Sequence, residues 1–271
     1  MGRQVRAVLG IDAAWTTTQP SGVALVVHDG KGWRLEMACA SYDHFLAWSN
    51  GISLTDRPRG CAPDIIALIT AVERRLGVRP DLIAMDMPLA KGPIIGRREA
   101  DNAVSRAYGA RHCGTHSPSA ERPGPISDQL RAAAEQAGYR LLIDQVVLPG
   151  LAEVYPHPAL VELLRADKRL PYKVSRAASY WPELTGVARW SALRGQWAHI
   201  VAALDGVVSG CCQLLPIPPE ETRAMDRKAF EDMLDAVICG WIGACMIDGK
   251  ARGYGAGDAA IWVPTPLDDV H

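Results

Sequence analysis

The chain carries almost no net charge: 29 Lys and Arg stand against 30 Asp and Glu, a formal −1. No whole-molecule field draws it to nucleic acid or to an acidic membrane, so a polyanionic substrate must be held by a local patch. Its seven cysteines include no Cys-x-x-Cys pair, which excludes the spacing of a secreted disulfide framework and points to a reducing, cytoplasmic compartment. Long hydrophobic runs are also missing. The longest apolar segment, 233–247, is short for a bilayer and carries Asp235 inside it, which predicts a buried helix with an unexpected charge and no membrane partner. The N-terminal apolar run is interrupted at Arg6 and stopped by Asp12, unlike a secretory signal. Internal repeats and long low-complexity tracts do not occur. What remains, at 48% hydrophobic residues, is ample material for a core, and 1–271 reads as one α/β domain with 90–125 and 167–222 as insertions or elaborations.

The organising stretch is Val8-Leu9-Gly10-Ile11-Asp12. An apolar run too short for a helix predicts a buried strand, and its terminal acid is presented to the crevice that forms at strand ends in open α/β sheets. Asp29-Gly30-Lys31-Gly32 between two apolar runs marks a hairpin, so three consecutive strands open the chain. Residues 41–60 give no clear pattern. A helix follows from Asp64 to Gly77, and Leu82-Ile83-Ala84-Met85-Asp86-Met87-Pro88 then repeats the opening device, with Pro88 ending the ladder. Residues 97–111 predict a basic helix, 126–137 an amphipathic helix and 139–147 a strand. Ala152-Glu153-Val154 presents a third acid, and Pro158 starts the next helix. His157, close to Glu153, reads as a loop histidine. Trp190, Leu193, Trp197, Ile200, Val201 and Leu204 trace the buried face of a helix. In the last helix, 226–247, Cys239, Gly240, Gly243 and Ala244 are slim enough to lie close against a sheet, and Asp232 and Asp235 share one face. Residues 259–263 predict an edge strand.

If the first and fourth strands are neighbours, Asp12 and Asp86 lie side by side and Asp235 approaches from the sheet face. Carboxylates so close share a proton or hold a divalent cation, and oxygen-only ligands favour Mg2+ or Mn2+ over zinc.

This order of elements resembles the ribonuclease H-like fold and, more narrowly, the DUF429 family of predicted nucleases. The resemblance is carried by Gly10-Ile11-Asp12-Ala13-Ala14, Ile83-Ala84-Met85-Asp86-Met87-Pro88, Arg98-Glu99-x-Asp101 with Arg106, Glu153-x-Tyr155-Pro156-x-Pro158, and Asp235-Ala236. It implies a mixed five-stranded sheet flanked by helices, with helical insertions, and hydrolysis of DNA or RNA by a carboxylate-bound metal. On that resemblance Asp12, Asp86 and Asp235 are the expected metal ligands, joined by Asp232, with Glu153 a further catalytic acid. Arg98, Arg106 and Lys173 are the expected phosphate contacts. Two alternatives stay open. One is a non-catalytic module of the same fold that binds nucleic acid or protein. The other is an actin-like or sugar-kinase-like phosphotransferase, although 12–18 lacks the glycine that would let backbone N–H groups close on a phosphate.

Overall fold

The computed structural model describes residues 5–266. Strands β1 (Arg6–Asp12), β2 (Gly22–His28) and β3 (Trp33–Cys39) form an antiparallel meander. Helices α1 (Tyr42–Ser49) and α2 (Ile65–Leu76) then lead to β4 (Leu82–Met85). Next come α3 (Glu99–Tyr108), α4 (Pro125–Gln136), the two-residue β5 (Arg140–Leu141), β6 (Gly150–Val154) and α5 (Pro156–Leu163). The chain continues through α6 (Ala177–Tyr180), α7 (Gly186–Asp205), α8 (Cys211–Leu214) and α9 (Ala224–Ile247), then closes with β7 (Ala251–Ala256) and β8 (Ala259–Pro264).

The strand order is β3-β2-β1-β4-β6-β8-β7, with β5 also paired to β6. β1, β4, β6 and β8 run parallel, and β7 pairs antiparallel with β8. The fold is mixed α/β, but the sheet has eight strands among the described residues, not the five expected. β8, expected at an edge, is interior; β7 is the edge strand, and Gly253 and Gly255 hide its alternation. The strand expected over 139–147 shrinks to Arg140–Leu141. Beyond Leu151 the same side of β6 is taken by β8, through Glu153↔Ile261 and Val154↔Trp262, and the Trp262 indole caps the Leu142 carbonyl at 3.0 Å. α1 falls in the unread stretch. Its signal is Ser41, whose hydroxyl accepts from the His44 N–H as an N-cap. α5 begins two residues earlier than expected, at Pro156.

Side chains alternate across the sheet. From β1, Ala7, Leu9 and Ile11 enter a core with α1, α2 and α4, whereas Val8 joins α7 and α9 on the other face. Among the described residues no helix is long and apolar enough to cross a membrane; α9 is a buried helix, as its pattern predicted. It lies unusually close to β1 and β2. A Cβ added to Gly10 would fall 2.3 Å from the Ala236 carbonyl oxygen, and one on Gly22 2.0 Å from that of Asp232. Only glycine permits this approach, which brings the acids of α9 over the strand ends. Gly10→Ala is expected to push α9 outward and to cost about 1–3 kcal/mol, read as a lower urea midpoint at unchanged m value. A wild-type midpoint would contradict the close approach.

α7 contributes through its tryptophans. The Trp197 ring packs on Trp190 and Phe230, with centroids 5.2 and 4.7 Å away, and its indole N–H donates to the Tyr172 carbonyl at 2.8 Å. The aromatic core therefore fixes the strap 172–174 against α9, and with it the position of Lys173.

Candidate functional site

β1 and β4 pair in parallel with Ile11 opposite Met85, and the Asp86 N–H donates to the Ile11 carbonyl at 2.9 Å. Asp12 and Asp86 therefore leave neighbouring strands at the same level. Both have the parity of Gly10 and Ala84, so both point to the face covered by α9, where Asp232 and Asp235 descend. Both carboxylates are partly buried and open onto one cleft. Among the described residues, neither accepts a hydrogen bond. Burial first, then the charge of Asp235, pushes the Asp86 carboxyl up to about 7 against the pull of Lys173. The same two causes, with Asp232 and Asp86 adding to them, hold Asp12 well above the ordinary carboxylate range.

The acids of α9 are differently placed. Asp235 is fully buried, accepts the Tyr172 hydroxyl at 2.7 Å and is ion-paired with the Lys173 ammonium. Glu231 meets Lys228 at 3.0 Å, Lys173 at 3.5 Å and the Val174 N–H at 2.5 Å, while Asp232 is paired with Lys228. Among the described residues no three His, Cys, Asp or Glu side chains are grouped so as to hold a metal ion. A lysine is instead the direct partner of Glu231, Asp232 and Asp235, and Lys173 also acts on Asp12. Lys173, expected at a phosphate, faces the cleft as the counter-ion of Asp235.

Glu153 stands beside Met85 in the β4–β6 register, so it points to the opposite side of the sheet from Asp12 and Asp86. There Arg98 clasps both of its oxygens at 2.6 and 2.8 Å, and the Leu89 N–H adds a third bond at 2.7 Å. Arg98 also donates twice to Asp101, at 2.8 and 3.0 Å, and once to the Leu89 carbonyl at 2.8 Å. All five of its N–H groups are thereby used, and none remains for a phosphate. Arg106, the second expected phosphate contact, lies outside the cleft on the exposed face of α3, paired with Glu99.

The cleft encloses about 750 Å3 at the carboxyl ends of the parallel strands. Its walls carry cations that sequence reasoning passed over. Arg122 sits over the Trp15 ring, 5.9 Å from its centroid. Arg169 and Arg176 face the cleft, and among the described residues none of the three has a carboxylate partner. Arg169 and Arg176 flank Lys173 in sequence and line the cleft with it. His157, read as a loop residue, is instead buried in the first turn of α5.

An acidic floor under basic walls, at the strand ends of a mixed α/β sheet, is a site for a cation, for an anionic ester, or for both together. The chain belongs to the DUF429 family, described as a protein of unknown function, whose profile matches residues 10–259. No curated protein and no solved structure matches it.

Proposed function

We propose that this cleft hydrolyses phosphodiester bonds of nucleic acid, with Mg2+ or Mn2+ bound at Asp12 and Asp86. One observation carries the reading: two carboxylates lie side by side at neighbouring strand ends, open to the cleft, without a hydrogen-bond donor among the described residues. Such a pair shares a proton or takes up a cation. Two hard oxygen donors suit an ion that completes its shell with water and substrate phosphate oxygens. Bound there, the ion would supply an activated water and charge stabilisation at the leaving oxygen. The chain's own groups do the rest. Asp12 and Asp86 orient the site, Lys173 adds a fixed positive charge, and Arg122, Arg169 and Arg176 suit the phosphate backbone. Asp232 and Asp235 join the ligand set only when Lys228 and Lys173 move aside. In this reading β3-β2-β1-β4-β6 is a ribonuclease H-like core to which the other strands are additions.

A second reading has its own observation. Asp232 and Asp235 are already matched by lysines, as in a cluster kept for structure, and the protein would then bind nucleic acid or a protein without cutting. End-labelled single- and double-stranded DNA and RNA, incubated with Mg2+, Mn2+ or EDTA, separate the two. Cleavage with either metal and none in EDTA is expected; retention of intact substrate under every condition would favour the binding module.

A further inference from the structure

The cleft wall beside Asp86 holds two buried side chains, His157 and Arg169, whose hydrogen bonding is incomplete. The His157 ring lies between Tyr155 and Tyr172, with centroids 5.5 and 5.4 Å away. It is 7% exposed, and its Nδ1 is buried without a hydrogen-bond partner. Arg169 has the same defect: its Nε is buried and unpaired, and its guanidinium meets no carboxylate among the described residues. Arg176 completes the wall, likewise without an acidic partner among the described residues. A buried donor or acceptor left unmade costs about 1–3 kcal/mol, so two in one wall point to a ligand that completes them.

The chemistry of the wall selects that ligand. Burial, then the charges of Lys173, Arg169 and Arg176, holds the His157 imidazole well below its ordinary value, so a neutral ring sits in a positive field. Lys173 is already matched by Asp235, and neither guanidinium is ion-paired to a carboxylate among the described residues, Arg169 acting on Asp86 only at longer range. A phosphate monoester carries about −1.5 to −2 charges at neutral pH and matches both; an internal diester carries one. Guanidinium forks suit its oxygens, and a neutral imidazole supplies one further N–H. No ion pair among the described residues restrains the Arg169 side chain from turning towards a ligand.

We propose that His157, Arg169 and Arg176 form a phosphate-monoester subsite adjoining Asp86, so that the cleft recognises the phosphorylated end of a nucleic-acid strand. This rests on the nucleic-acid reading above and narrows it to strand ends. The test uses the full chain in EDTA with three probes: inorganic phosphate, a short oligonucleotide phosphorylated at its 5′ or 3′ end, and the same oligonucleotide with hydroxyl ends. Expected are a rise in melting temperature with phosphate, a shift of the His157 ring resonances, and binding about tenfold tighter for one phosphorylated end than for the hydroxyl form. Arg169→Gln and Arg176→Gln should each remove that preference, and Arg106→Gln should keep it. Equal binding of phosphorylated and hydroxyl strands would overturn the subsite, as would a preference that survives both cleft variants. The melting response to Mn2+ is recorded separately. A metal response without phosphate binding sinks the subsite alone, and phosphate binding without a metal response sinks the metal-dependent hydrolase alone.

Discussion

Asp12→Asn and Asp86→Asn are each expected to lower metal-dependent cleavage by at least about a hundredfold to a thousandfold and yet to melt above the wild type in EDTA. The second half follows from the field around the pair. Asp86 is held at about 7 by burial and by Asp235, against an ordinary value of 3.8. Below that ordinary value folded and unfolded chains both carry the proton, and the group is neutral to stability. Between about 4 and 7 the unfolded chain releases its proton while the folded chain keeps it, so this group's contribution to stability falls as pH rises. Above pH 7 the folded chain bears the whole penalty, on the order of 2–4 kcal/mol. Asparagine keeps the shape and removes the charge. The melting temperature of Asp86→Asn should therefore pull ahead of the wild type as pH is raised from 4 to 7, and stay ahead above it. Mn2+ should raise the wild type and leave both variants unmoved. A variant that melts below the wild type at pH 8 in EDTA would contradict the buried, unneutralised charge on which the metal proposal stands.

Arg98→Met is expected to be the most damaging change beneath the cleft, and to act through folding. It strands Glu153 and Asp101, both buried, and removes five side-chain hydrogen bonds at once. Breaking a buried pair from one side costs about 3–5 kcal/mol, and here one cation serves two acids. Asp101 also accepts the Arg98 N–H at 2.8 Å at the start of α3, so the helix entry loosens with it. Arg98→Lys should recover only part, because a single ammonium cannot fork onto two carboxylates. Adding Glu153→Gln to Arg98→Met should restore some stability by removing one stranded charge. Arg106→Gln is the control: its pair with Glu99 is exposed, and such pairs are worth about 0–1 kcal/mol. Urea midpoints read all four. If Arg98→Met unfolded with the wild type while losing affinity for nucleic acid, Arg98 would be a phosphate contact after all.

These two cases mark where sequence reasoning reached and where it stopped. β1 and β4 were legible because each is a short apolar run closed by an acid, and their pairing brings Asp12 and Asp86 together. The close seat of α9 was legible from Gly240 and Gly243, although the glycines on the sheet side of that contact, Gly10 and Gly22, were not singled out. Glu153 is a different matter. It looks equivalent to the other strand-end acids until the register opposite Met85 fixes its parity and sends it to Arg98. Ion pairs between residues far apart, such as Lys173 with Asp235, leave no periodic trace at all. Nor does the placement of Arg169 and Arg176 along the cleft. Local pattern fixes what a strand or helix buries; which partner a charged side chain finds is decided by packing at a distance.

The most direct measurement is anomalous diffraction from crystals of the full chain soaked in Mn2+ at pH 8, where Asp86 is deprotonated. A peak within coordinating distance of both the Asp12 and Asp86 carboxylates is the predicted result. An ordered Asp12–Asp86 pair with no peak between them, and Lys173 still lodged among the acids, would contradict a metal site here.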